Sequence, residues 1–273
     1  YDAQGEVGII NIILKKENRE GINGVFSVSG GYPENFGASA GLNYRKNKYN
    51  FFTNYSLNYR KGPGGGFVKQ SFENEDTSYY FERLREHVRG GLSHNIRLGL
   101  DYYFTPKDVL TVSGLYKYSD GQNNSNLRYD DFDENRMLSK SVWRSEDESE
   151  LQENIESTIN YKKTFDRDKH TLNATVKWIK SDDLEESEFV ETSSIEGSQA
   201  VTQLSKSTEN QERYLAKIDY VKPFGEEGKI ELGAQSNLRT IENAFLVKEE
   251  GIALEGFDNI MLYTENIHAA YAM

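Results

Sequence analysis

The side chains most able to do chemistry are scattered rather than assembled. The four histidines, His87, His94, His170 and His268, show no His-Glu-x-x-His spacing, so zinc hydrolysis has no ligand set. His170 and His268 fall within strand patterns and read as rim or lumen residues. The run KGPGGG holds Gly62, Gly64, Gly65 and Gly66, but no Lys-Ser or Lys-Thr follows, and Pro63 removes an amide donor that a phosphate cradle needs. It is expected to be a flexible loop. Residues 182–196 carry seven carboxylates and no base, and Asp130, Asp131, Asp133 and Glu134 form a second acidic group. That group lacks the glycine of a calcium loop, so both stretches are expected to be solvated loops. No Gly-x-Ser-x-Gly elbow occurs, and there is no cysteine to act as nucleophile, ligand or disulfide partner. No catalytic residue, metal site or cofactor is expected.

Composition narrows the partners. The 273 residues include 44 acidic and 32 basic side chains, a formal charge of −12, which argues against nucleic acid. The 18 Tyr and 14 Phe point to ordered surfaces. Mean hydropathy is −0.74. The longest apolar run, VGIINIIL, is far shorter than the roughly 18 residues of a spanning helix. The chain starts at Tyr1 rather than Met and stops at HAAYAM in mid-pattern, so it is expected to be a piece of a longer protein.

The elements that would position these residues are strands. Over 36–46, Phe36, Ala38, Ala40, Leu42 and Tyr44 alternate with Gly37, Ser39, Gly41, Asn43 and Arg45. Over 49–60, Tyr49, Phe51, Thr53, Tyr55, Leu57 and Tyr59 alternate with Asn50, Phe52, Asn54, Ser56, Asn58 and Arg60. Such period-two patterning gives each strand one apolar and one polar face. The same reading yields strands at 22–31, 92–104, 110–118, 155–165, 172–178, 214–220, 230–238 and 264–273, about ten in all. Most reach the roughly 9 to 11 residues of a tilted transmembrane strand.

The connections are read as alternating in length. Asn47-Lys48 and residues 105–108, 166–169 and 225–228 are tight polar turns. Residues 62–89, 120–152, 182–212 and 242–263 read as long polar connectors, and only 32–35 breaks the rule. Short turns at one rim and long loops at the other describe outer-membrane barrels. Tyr44, Tyr49, Phe104, Phe165 and Phe224 collect beside the short turns, where an interfacial girdle would sit. An ordinary soluble sheet face would also be rich in aromatics, but it leaves the loop sorting unexplained. The fold expected is therefore all-β, a partial antiparallel transmembrane β-barrel. Leu42, Phe51, Tyr55, Leu57, Leu100, Val112, Val176, Ile218 and Leu232 are expected to face lipid. Asn43, Arg45, Asn54, Asn58, Arg60, Arg97 and Asp101 are expected to face the lumen, where hydration is their simplest role.

The opening YDAQGEVGIINIILKK resembles the end of the plug domain in TonB-dependent outer-membrane receptors, through Gly8, Ile10, Asn11, Ile12, Lys15 and Lys16. Leu14 replaces the usual Thr. The run ENIHAAYAM is similar to a barrel strand of this family, in the Bacteroidetes style. The resemblance implies that residues 1–16 are the last strand of a plug and residues 17–273 the N-terminal part of a barrel of about 22 strands. It further implies an outer-membrane location, energy from the inner-membrane protein TonB through parts not contained here, and uptake of an iron chelate, glycan, peptide or similar ligand. A surface lipoprotein is a further partner of such receptors.

Two other readings compete with transport: a non-transporting barrel with adhesive, binding or assembly duties, and a secreted soluble β-protein binding glycans. If lipid covers the apolar face, Tyr55→Arg costs on the order of 2–4 kcal/mol near the midplane, and Asn54→Arg is mild. Unpaired sheet edges predict that the recombinant fragment enters inclusion bodies.

Overall fold

The computed structural model of the protein describes residues 20–73, 78–225 and 228–273. The plug-end positions Gly8, Ile10, Asn11 and Ile12 lie outside the described residues. Every regular element is a strand: β1 (Gly21–Gly31), β2 (Asn35–Lys46), β3 (Tyr49–Glu73), β4 (Ser78–Thr105), β5 (Asp108–Phe132), β6 (Leu138–Thr164), β7 (Thr171–Ser193), β8 (Val201–Phe224), β9 (Gly228–Glu249), the two-residue β10 (Ile252–Ala253) and β11 (Asn259–Ala272). They form one antiparallel sheet in sequence order, with β11 pairing β9 beside the short β10. No helix occurs among the described residues.

The meander follows from the turns. Asn47 (φ 51°), Lys169 (φ 62°) and Gly225 (φ 58°) adopt the left-handed backbone that tight reversals require. The expected strands all appear, but the expected long connectors do not. Strands β3 to β9 run for 22 to 28 residues each, so residues 62–89, 120–152, 182–212 and 242–263 are largely paired sheet. KGPGGG lies inside β3, the Asp130–Asp131 pair inside β5, and most of 182–196 inside β7. Backbone pairing between neighbours supplies what polar sequence cannot: a strand bonded on both sides needs no apolar face to persist. Asymmetry between the two rims survives in another form, as long paired hairpins at one end and short turns at the other.

Ladder register fixes the tilt. The row through Tyr49 continues through Tyr102, Leu110, Tyr161, Ala174, Ile218 and Ala234. Tyr49 is the first residue of β3, whereas Ala234 lies six residues inside β9. The stagger is therefore about one residue per strand; with strands about 4.8 Å apart and a rise of about 3.3 Å per residue, this corresponds to a tilt of about 35°. That is the slant of a barrel wall.

Candidate functional site

Because side chains alternate strictly through these ladders, each row belongs to one face. Asn43, Arg45, Asn54, Asn58, Arg60, Arg97 and Asp101 share a single face, with cross-strand pairs such as Asn54↔Arg97 and Asn50↔Asp101. Leu42, Phe51, Tyr55, Leu57, Leu100, Val112, Val176, Ile218 and Leu232 share the other.

Enclosure of the two faces is the reverse of that in a water-soluble core. Val142 is the one buried hydrophobic residue among those described, whereas Asn50, Ser125, Ser187 and Asn237 are buried on the polar face. On β6, Glu146, Glu148, Glu150 and Glu156 are half-buried, while Leu151, Ile155 and Ile159 on the other face are exposed. A single sheet can crowd one face over the other only by curving, so the polar face is the concave one. Its groups satisfy each other there. Asn50 donates to Asp101 at 2.9 Å and Thr111 donates to the same carboxylate at 2.7 Å. Asn160 donates to Asn173 at 3.0 Å and to Thr175 at 2.7 Å, and Arg213 donates to Asn237 at 2.6 Å. Lys177 pairs with Glu156 at 2.8 Å.

The convex apolar band keeps to the ten or so residues nearest the short turns on β2 to β9, and it moves with the stagger; on β11 it is interrupted by His268, which stands exposed on the convex face and not at the rim or in the lumen as expected. On β3 it runs from Tyr49 to Tyr59 before Lys61 appears; on β7 it ends at Trp178, before Lys180. About ten residues rising about 3.3 Å each at a tilt of about 35° span about 27 Å, matching the apolar belt of an outer-membrane barrel. Phe51, Val112, Ile159, Val176 and Ile218 all stand 45–58% exposed within it. Water would not tolerate a contiguous patch of this size.

Aromatic side chains mark both edges of the band. At the short-turn edge lie Tyr44, Tyr49, Tyr102, Phe104, Phe165 and Tyr220, with Tyr102 and Phe104 edge to face at 4.8 Å and His170 bonded to the Tyr220 hydroxyl at 2.9 Å. The second girdle was not read from the sequence. There Tyr116 donates to Glu153 at 2.9 Å, Trp178 and Tyr214 donate to Glu212 at 2.8 and 2.7 Å, and Tyr55 is bonded to His94 at 2.9 Å. The available signal was an aromatic residue two positions from a charged one on the same face, as Trp178 is from Lys180 and Tyr214 from Glu212.

Beyond the band the sheet continues into water. The concave side there carries Glu146, Glu148, Glu150, Asp183, Glu185 and Glu209 on β6 to β8, facing Arg60, Arg83, Arg85 and Arg89 on β3 and β4. Burial first, and then the neighbouring charges Glu148, Glu150 and Glu146, push the Glu185 carboxyl above its ordinary range; burial with Glu209 and Asp182 does the same to Asp183.

A tilted antiparallel wall, polar on its concave side and belted with lipid-matched apolar residues between two aromatic girdles on its convex side, defines a transmembrane β-barrel of the bacterial outer membrane. Residues 163–273 match the model of the outer membrane protein beta-barrel family. No curated protein matches the chain. Among solved structures it is similar to the outer membrane protease OmpT of Escherichia coli (9% identity, 88% of this chain and 84% of that one, TM-score 0.26). It is also similar to the RagAB peptide transporter (8%, 85% and 40%, 0.25) and to the outer membrane protein OprD of Pseudomonas aeruginosa (7%, 92% and 92%, 0.14).

Proposed function

We propose that the chain forms the N-terminal wall of a TonB-dependent outer-membrane receptor that takes up a ligand across the bacterial outer membrane. Supporting this reading above all is the opposition of the two faces: a lipid-matched convex belt, and a concave face lined with bonded polar groups that offers a hydrated path or a seat for a plug. The hairpins beyond the belt present that concave face outward, where a ligand is first met. The plug-end resemblance of Gly8, Ile10, Asn11 and Ile12 supplies the link to TonB, and TonB together with a surface lipoprotein are the partners this reading assigns. The cargo is an iron chelate, glycan, peptide or similar molecule, and the protein acts on it by binding and translocation, without chemistry.

The test is growth or uptake on candidate cargo by cells lacking the protein, compared with cells lacking TonB. Equal loss in both supports the proposal. Uptake that persists without TonB, with the protein still found in outer-membrane fractions, would favour a non-transporting barrel with binding or assembly duties.

A further inference from the structure

The KGPGGG segment, now within β3, stands against the most basic stretch of the chain. Register places Gly62 opposite Arg89, Gly64 opposite His87 and Gly66 opposite Arg85, all on the concave face. The row below pairs Arg60 with Gly91, which in turn pairs with Gly121 of β5. Glycines on this face therefore stand opposite basic side chains; the His87 ring fills the place of a Gly64 side chain, whereas Gly62 borders a cleft of about 630 Å³ lined by Asn58, Arg60, Arg89, Ser93 and Glu150 among others. A Cβ at Gly62 would meet nothing within 4 Å, so the floor there is open.

Charge in the cleft is unspent. The Arg60 and Arg89 side chains are exposed and make no hydrogen bond or ion pair among the described residues. Nearby, Arg85 Nε and His87 Nδ1 are shielded from solvent without a partner, and Arg85 approaches Glu146 only at 4.0 Å. Guanidinium groups held within reach of a bare backbone floor favour a planar or tetrahedral oxyanion, which two forks can grip at once. Lipid phosphates lie on the other side of the wall, so the occupant must arrive in solution.

We propose that this cleft binds the carboxylate or phosphate group of a soluble anionic ligand, with Arg60 and Arg89 as its principal contacts. Asn58 and Ser93 line the same cleft, and Glu150 borders it on the β6 side, so the anion is held at the β3–β4 side where the two arginines stand. The inference deepens the uptake reading by naming the chemical class of cargo, and it rests on that reading only for what happens after capture.

Calorimetric titration of the complete protein, folded in detergent, with citrate and with inorganic pyrophosphate at low salt tests it. At least one probe is expected to bind, with affinity falling as salt rises. Arg89→Gln should weaken binding by about tenfold or more, and Arg60→Gln should do the same from the neighbouring strand, which keeps the test alive should one variant not fold. Lys61→Gln, adjacent in sequence but on the convex face, should bind as the parent does. Binding of neither probe, unchanged affinity in a folded arginine variant, or equal weakening by Lys61→Gln would each overturn the proposal. Because no uptake is measured, failure of the TonB reading leaves this result readable on its own.

Discussion

Trp178 on β7 donates its indole N–H to Glu212 on β8 at 2.8 Å. The pair marks the height at which the convex face turns from apolar to charged. Trp178 and Val176 below it belong to the apolar belt, while Lys180 and Glu212 stand at the first charged row. An indole whose ring is apolar and whose N–H finds a polar partner suits an interface. The two tryptophans should therefore report different surroundings in bilayers with depth-resolved quenchers. With Trp143→Phe, Trp178 emission should be quenched most by labels near the headgroups. With Trp178→Phe, Trp143, out on the paired extension, should be quenched by none. Equal quenching of both would place the belt wrongly.

Neighbouring residues on opposite faces should differ sharply in their tolerance of charge. Ile159 is 51% exposed at mid-belt, whereas Thr158 faces the concave side, where Lys177 and Glu156 already sit. Ile159→Arg should cost about 2–4 kcal/mol in bilayer-folded protein, and Thr158→Arg should cost well under half of that. Tyr55 is a softer probe than the sequence suggested, because its phenol reaches up to His94, and an arginine there can follow the same route toward water.

Asn237 is 2% exposed and accepts the Arg213 Nε–H at 2.6 Å on the concave face within the belt. Asn237→Ala leaves that guanidinium short of an acceptor in a crowded place. A loss of about 1.5–3 kcal/mol in urea unfolding from vesicles is expected, without change in the belt's height.

Acid should firm the extension beyond the belt. Asp183 and Glu185 have carboxyls raised by burial and by like charges, so the folded sheet binds their protons more readily than the unfolded chain. Stability is therefore lost as pH rises from the ordinary carboxylate range through the raised values, and it is regained on acidification. Amide exchange in β6 to β8 should be slower at pH 5 than at pH 7 after correction for intrinsic rates. Glu185→Gln should slow exchange at pH 7 and flatten the dependence. Faster corrected exchange at pH 5 would contradict the sign.

The turn-side ion pair should matter little. Lys107 and Asp166 meet at 2.8 Å between adjacent turns, and Lys107 holds the Asp166 carboxyl below its usual range through that hydrogen bond and its charge. The Asp166 side chain is fully in solvent. Asp166→Asn should leave the unfolding midpoint unchanged within error, because an exposed pair gains little over hydration.

Sequence alone determined which residues share a face. Period-two alternation is a local property of an extended chain, so the polar set around Asn54 and Arg97 and the apolar set around Phe51 and Val176 could be separated before any pairing was known. The tight turns were legible for the same reason, since Asn47-Lys48 carries its own backbone preference. Where the strands end was not legible. Past Lys61, Asp120 and Lys180 the apolar signal stops, although the ladders do not, and only backbone bonding to neighbours on both sides keeps those polar stretches extended. Tertiary structure alone decided which face is concave, and it brought Gly62 against Arg89 and Trp178 against Glu212. Those meetings depend on register between segments tens of residues apart, and register is set by the whole sheet rather than by any one strand.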